Sequence, residues 1–429
     1  MLRSRRVPVR DWMSYRGGRS VILLAGPLSI TFEQLLDGLT ARASLAPPYF
    51  GLQSFDAARQ RLRFPAKQQL AEVARQLASL DSRPMDDPVA WATEIARQAD
   101  PRDLVRWHYR DGYVGCVFSH MIADGRSGTR SFAEVLLLAQ GRQVQLSGGR
   151  RQRLPVARAA LRTYIRHPKS LASVAAIVRP QADPVDEPTV APTRKKLEHA
   201  RSTSTEPVIR RAVIEPGEVR RLDAWGRDQN PRVRLPAALV AGFCGALEQS
   251  GFQLSSDSPY VVWDVRRYGN IRQLDATNMV GGVALAVPDP ADAQQVGQAI
   301  AQATQEAVPL AGVVTTAVYG WRDRRRDYGD ALPQASDSPT PLDVPDPMPA
   351  MSVMTDPLLE ALPWAVEPQD RTYIAFINTC FPAALPFFVA RIDDAVHLTG
   401  VCRPDVYEPA RLQCALDLLA DDPLEMMRP

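Results

Sequence analysis

The stretch of this chain best equipped for chemistry is Tyr113–Gly128, YVGCVFSHMIADGRSG. Val114, Cys116, Phe118 and His120 share one face of a regular strand, because side chains alternate with period two. A histidine at the mouth of such a strand is held rigidly yet within reach of a substrate. Its neutral imidazole, titrating near neutrality, suits removal of a proton from an attacking hydroxyl or amine. A positioned base of this kind typically contributes ~10²–10⁴-fold. Asp124 follows four residues later, and Gly125 and Gly128 permit a tight backbone path before a helix. The bland alternative is a core histidine with one satisfied nitrogen.

The flanking sequence supplies elements to position these residues. Ser20–Leu28 reads as a strand. Thr31 with Gln34 forms a capping box, and Phe32, Leu35, Leu36 and Leu39 stripe the helix that follows. Gln69–Leu80 and Pro88–Arg97 read as helices, the second capped by Asp87 with Pro88 in its first turn. Asp103–Tyr109 and Tyr113–Ser119 flank Asp111-Gly112, a hairpin signal that pairs the His120 strand antiparallel with its predecessor. Phe132, Val135, Leu136 and Ala139 stripe the next helix, which Gly141 ends. Leu154–Val178 is helical and basic, with Arg158, Arg162, Arg166 and Lys169. It reads as a solvated face, or as a dock for an acidic carrier protein or a CoA phosphate.

A Pro-, Asp- and Thr-rich stretch almost free of large apolar residues then marks a linker. It divides the chain into residues 1–180, a linker at 181–206 and residues 207–429. The second part restarts the pattern. Val208–Ile214 and Tyr260–Val265 read as strands, and Glu218–Asp228 and Pro236–Gln249 as helices. Ala291–Ala307 and Pro309–Asp323 read as further helices, and Arg324–Pro349 as a long exposed loop. Met351–Thr355, Thr372–Thr379, Phe388–Ile392 and Val396–Cys402 are strand-like. Leu412, Ala415, Leu416 and Leu419 stripe a closing helix.

His120-Met121-Ile122-Ala123-Asp124-Gly125 matches H-x-x-x-D-G. It resembles the catalytic motif of the CoA-dependent acyltransferase superfamily, which includes chloramphenicol acetyltransferase, nonribosomal peptide condensation domains, wax-ester synthases and polyketide-associated acyltransferases. The resemblance implies an α/β fold of two chloramphenicol-acetyltransferase-like lobes in a V. Each has a mixed sheet with flanking helices, and a tunnel between the lobes meets at His120. It makes Asp124 a structural support that pins the loop through an arginine. The condensation branch usually carries an arginine after the first helix. Here Ala46-Pro47-Pro48-Tyr49-Phe50 has none, which leaves Arg61 and Arg63 as candidate partners. Ser119 stands where the condensation and wax-synthase branches carry a second histidine, and as a small hydroxyl it reads as a packing position at the edge of the substrate site.

Asp264-Val265-Arg266-Arg267 and Asn278-Met279-Val280-Gly281 look like the second lobe's strand–loop–strand, which implies Arg266, Asn278 and Gly281 beside the substrate channel. Their alternatives are a surface cation for Arg266 and a turn residue for Asn278. Ser352 and Thr355 are candidate hydroxyls near the reacting carbonyl, and with the Gly125 N–H they are candidate oxyanion donors. The implied activity joins a thioester-borne acyl group to an amine or alcohol, in natural-product or lipid biosynthesis, with His120 as general base. The donor arrives on a phosphopantetheinyl carrier protein or as a CoA thioester, with no tightly bound cofactor or metal. The other class is a non-catalytic docking or scaffold protein that kept the fold.

Composition narrows the field. The chain has 429 residues, enough for two or three domains. Its 51 basic and 48 acidic residues nearly cancel, so no nucleic-acid footprint is expected. The cysteines are 5, scattered and without C-x-x-C, which suits a reducing compartment and no disulfide framework or zinc site. Val21–Ala25 is too short for a signal core, and Ala237–Leu247 too short for a membrane span. The protein is therefore read as soluble and cytoplasmic.

Overall fold

The structure is a computed structural model that describes residues 4–7, 11, 19–45, 52–56, 59–100, 103–145, 155–168, 207–254, 259–269, 278–323, 347–378 and 384–428. The expected linker at 181–206, Lys169 and most of the Arg324–Pro349 loop lie outside these residues. In chain order the first elements are β1 (Ser4–Arg6), β2 (Ser20–Gly26), α1 (Phe32–Leu45), β3 (Ser54–Asp56) and β4 (Arg61–Arg63). Then come α2 (Leu70–Leu77), β5 (Ala78–Asp81), α3 (Pro88–Gln98), β6 (Val105–Arg110), β7 (Tyr113–Ser119), α4 (Gly125–Ala139) and α5 (Pro155–Arg166). The later elements are β8 (Val208–Ile214), α6 (Pro216–Asp228), α7 (Leu235–Gln249), β9 (Tyr260–Asp264), α8 (Arg266–Gly269) and β10 (Val280–Ala284). They end with α9 (Ala293–Gln305), α10 (Val308–Asp323), β11 (Met348–Val353), β12 (Thr372–Ile377), β13 (Ala384–Ile392), β14 (Ala395–Cys402) and α11 (Pro409–Asp421).

Two mixed sheets with flanking helices form the fold. The first has the order β12-β2-β7-β6-β5, and the second β10-β9-β11-β13-β14-β8. The first is antiparallel except at the β5–β6 edge, where pairing is parallel. The second is parallel only where β11 meets β9 and β13. A small third sheet joins β1, β4 and β3.

Strand β12 follows residue 207 in sequence but pairs with β2, Thr372 opposite Gly26 through Ile377 opposite Val21. The chain thus returns from the second sheet to close the edge of the first. Strand β13 buries both faces. Leu385, Phe387 and Val389 enter one core and Phe388, Ala390 and Ile392 the other. That is why the Ala384–Ile392 run is apolar at every position except Arg391, as expected of a strand covered on both sides.

Local signals act as the sequence suggests at several points. Thr31 and Gln34 exchange backbone-to-side-chain hydrogen bonds of 2.8 and 3.2 Å. The Asp87 carboxylate accepts from Val89 N and Ala90 N. Asp111 and Gly112 take positive φ of 45° and 77°, the tight turn that joins β6 to β7. Two expectations are corrected. The helix expected over Gln69–Leu80 stops at Leu77, and Ala78–Asp81 peels off as edge strand β5 beside β6. Gly125 and Gly128 are not a loop before the helix but its first turn. Gly128 lies against the Phe118 ring, where a side chain would collide.

Candidate active site at the junction of the sheets

His120 is the first residue past β7, the strand flanked on both sides in the first sheet, and its backbone N–H donates to Arg19 O at 2.9 Å. A single turn follows, closed by Ile122 N to Ser119 O at 3.0 Å. Asp124 then caps α4, accepting from Ser127 N and Ser127 Oγ, both at 2.8 Å. Ser127 Oγ also accepts from Asp124 N at 3.1 Å. Strand, turn and cap therefore fix His120 and Asp124 before any contact with the second sheet.

Residues of the second sheet complete the site. Strands β9 and β10 pair so that Val280 faces Asp264. Just beyond them Val265 N donates to Met279 O at 2.8 Å, which holds Arg266 and Asn278 side by side. Arg266 Nη2 lies 2.8 Å from Asp124 Oδ2, and both side chains are buried. Met279 N donates to the same oxygen at 2.8 Å. The Asn278 amide nitrogen donates to His120 Nδ1 at 2.8 Å and to the His120 backbone oxygen at 3.1 Å. Asp264 links the other flank, 2.7 Å from Arg126 of α4 and 3.1 Å from Arg266. The H-x-x-x-D-G turn of the first sheet is thereby clamped by two neighbouring segments of the second.

The electrostatics follow from burial and pairing. Burial alone would raise the Asp124 pKa. The Arg266 charge and the hydrogen bonds from Met279 and Ser127 outweigh it and hold the carboxyl below its ordinary value. Burial opposes the charge of Arg266, but Asp124 and Asp264 outweigh it and raise its pKa.

The structure revises several expectations. Arg61 and Arg63 are not the partners of Asp124. Both sit on β4, where Arg61 donates to Ser4 Oγ and Arg63 pairs with Asp56. Arg266 is the partner, and it is a buried support rather than a surface cation. The Asn278 amide engages His120 across the sheets, which its reading as a turn residue does not explain. Gly281 lies in β10 at its closest approach to α10, where an added side chain would strike Pro309 O and Val313. The Ser119 hydroxyl accepts from Met121 N at 3.3 Å and stays inside the turn. Ser352 lies half-buried on β11 opposite Phe388. Thr355 Oγ1 accepts from Arg391 N at 2.9 Å.

Sequence reasoning passed over Met354. It is fully buried, and the end of its side chain occupies the space a Cβ on Gly125 would need, so the two residues pack in direct contact. It also passed over the Arg42–Glu134 ion pair, 2.7 Å long and buried between α1 and α4. Arg42 falls seven residues after Leu35 and three after Leu39, on the buried stripe of the Phe32–Leu45 helix, and that spacing was the signal that could have found it.

The architecture is a fold seen among solved acetyltransferase and condensation-domain structures. No family model matches the sequence, and no curated protein matches it. Solved structures do match along the whole chain. The trichothecene 15-O-acetyltransferase of Fusarium sporotrichioides is 12% identical, covers 99% of this chain and 96% of its own, and superposes with a TM-score of 0.61. The first condensation domain of the calcium-dependent antibiotic synthetase is 15% identical, with coverage of 98% and 97% and a TM-score of 0.58. Polyketide synthase associated protein 5 of Mycobacterium tuberculosis is 14% identical, with coverage of 98% of both chains and a TM-score of 0.56. Among the described residues no helix is long and apolar enough to cross a membrane.

Proposed function

We propose that this protein is a condensation-like acyltransferase, joining a thioester-borne acyl group to an amine or alcohol at His120. One observation carries the reading. His120 is held at the junction of the two sheets by Asn278, on a turn that Asp124, Arg266 and Met279 lock in place. A core histidine needs no such clamp built from two sheets. The shared fold supports the same reading, since it includes an acetyltransferase and condensation domains.

Transfer requires the acceptor to attack the thioester carbonyl carbon. A carbon–nitrogen or carbon–oxygen bond forms, the carbon–sulfur bond breaks, and the thiol departs. Negative charge gathers on the carbonyl oxygen on the way, so an aimed donor there is worth several kcal/mol in general. Two roles for the imidazole fit this chemistry: base towards the acceptor, or donor towards the carbonyl oxygen. The Gly125 N–H belongs to the first turn of α4, whose N–H groups have no intrahelical acceptor, and it suits the same oxygen. The acyl donor is a carrier-protein or CoA thioester entering between the sheets. The acceptor is a small amine or alcohol, and the setting is natural-product or lipid biosynthesis in the cytoplasm.

The test offers the purified protein a panel of acyl-CoA and acylated carrier-protein donors with amine and alcohol acceptors. Products are read by mass spectrometry against a no-protein control. Protein-dependent amide or ester is expected from at least one pair. Specific binding of an acylated carrier without product from any pair would favour the docking or scaffold reading instead.

A further inference from the structure

We propose that the outward face of α5 is a docking surface for an anionic lipid bilayer, holding the protein at a membrane surface without spanning it. This goes beyond the acyl-transfer reading above and does not rest on it.

The first observation is one of charge. Between Glu134 and Asp183 the chain has no acidic residue, yet it has eight arginines and Lys169. The whole chain holds 51 basic and 48 acidic residues, so outside this stretch acid is in excess. The near-neutral total thus hides a strong local asymmetry. A block of positive charge on an otherwise acidic chain marks a surface for a polyanion.

Helix α5 displays part of that block. Its Ala159 and Tyr164 are buried in a small core with Val265, Met279, Leu310 and Val313. That packing fixes which face looks outward. The outward face carries two parallel rows, each with the four-residue spacing that aligns side chains along a helix. One row is Ala157, Leu161 and Ile165, the other is Arg158, Arg162 and Arg166, and all six are exposed. Leu161 and Ile165, at 65% and 71%, are the two most exposed large apolar side chains among the described residues. Helix α5 contains no acidic residue, and the adjoining α8 adds a further exposed cation in Arg267.

A single exposed leucine needs no explanation. An apolar pair one turn apart, beside three arginines at the same spacing, does. A row of arginines alone suits any polyanion, nucleic acid included. The apolar row decides between the partners, because it gains nothing from a phosphate backbone. A bilayer surface takes both rows at once, the aliphatic side chains at the acyl boundary and the guanidinium groups among the phosphates. An acidic protein would meet the arginines. Two aliphatic side chains on one convex helix, however, offer it no apolar core of the size a stable interface needs. The inward side of α5 packs on Val265 and Met279, the residues next to Arg266 and Asn278. Docking through the outward side therefore holds the His120 junction close to the lipid.

The test measures flotation of the full chain with vesicles. Vesicles of equal parts phosphatidylcholine and phosphatidylglycerol are compared with vesicles of phosphatidylcholine alone. The protein should float with the mixed vesicles and not with the neutral ones, and high salt should weaken the binding. Each cation at an anionic surface strengthens binding about fivefold, so replacing Arg158, Arg162 and Arg166 together by glutamine should weaken it by ~10²-fold. Leu161→Gln combined with Ile165→Gln leaves every charge in place and should weaken it by about tenfold. All five positions are exposed, so both variants should keep the wild-type unfolding curve. Failure of the wild type to bind mixed vesicles would overturn the proposal. So would binding that the folded apolar variant leaves unchanged, which is adhesion by charge alone. A phosphopantetheinyl carrier protein is titrated onto the same three proteins. Carrier binding that both variants weaken, without vesicle binding, would assign the face to an acidic protein and overturn the proposal as well. None of these readouts depends on turnover, so the acyl-transfer reading stands or falls separately.

Discussion

Replacing Arg266 by alanine probes the clamp at its most buried point. The side chains of Asp124 and Arg266 are 0% and 4% exposed and lie 2.8 Å apart. Without the guanidinium the carboxylate keeps three neutral donors, Met279 N, Ser127 N and Ser127 Oγ. Breaking a buried pair on one side typically costs about 3–5 kcal/mol. The surviving hydrogen bonds still solvate the anion, so the loss should fall near the lower end, ~3 kcal/mol. Asp124→Ala alone leaves the cation with Asp264, 3.1 Å from it. The double variant removes both charges and should lose less than the sum of the singles, with a coupling of up to ~3 kcal/mol.

The pH dependence has a definite sign. The Asp124 carboxyl is held below its ordinary value of 3.8. Its stabilisation is complete above that value and is lost as pH falls through the lower folded-state value. Wild type and Arg266→Ala should therefore differ at pH 7 and converge in strong acid. The assay is urea unfolding of the three variants and wild type from pH 7 down to 3. Equal midpoints for wild type and Arg266→Ala at pH 7, or strictly additive singles, would refute the clamp.

Other perturbations follow from the same structure. Glu134→Ala removes the carboxylate 2.7 Å from Arg42, which is 1% exposed, and should cost about 3–5 kcal/mol in denaturant unfolding; an unchanged midpoint would show that the buried pair carries no stability. His397 is pushed down to about 3 by burial and by the nearby cations of Arg211 and Arg371. Its depressed pKa means stability is lost as pH falls from 6.5 towards 3, by up to ~1.4 kcal/mol per pH unit. His397→Gln should flatten that part of the stability–pH curve, and an identical curve would remove His397 from the account. Gly281→Ala should lose about 1–3 kcal/mol by forcing β10 from α10. A melting temperature equal to wild type would contradict the close approach to Pro309.

What the sequence disclosed was local. The Asp111-Gly112 hairpin, the Thr31–Gln34 box and the Asp87 cap are each settled by residues within three positions of one another. The H-x-x-x-D-G run belongs with them, since strand end, turn and helix cap all lie inside Tyr113–Gly128. Failures came where partners are distant in sequence. Ala78–Asp81 continues an acceptable helical pattern and becomes a strand only because β6 offers it an edge. Nothing near Thr372–Ile377 says that it pairs with β2. Arg266 and Arg267 are adjacent and chemically alike. Only the β9–β10 register decides that the first is buried against Asp124 and the second is exposed. Asn278 was legible as a candidate, but its bond to the histidine ring was not, because no spacing encodes a contact between sheets.

The central claim is that acyl transfer takes place at His120. The most direct measurement is single-turnover transfer from a pre-loaded thioester donor, wild type beside His120→Ala, with unfolding curves confirming that both are folded. The variant should be slower by at least ~10²-fold, the scale of losing one aimed donor or one positioned base. Equal turnover by a folded His120→Ala protein would contradict the account.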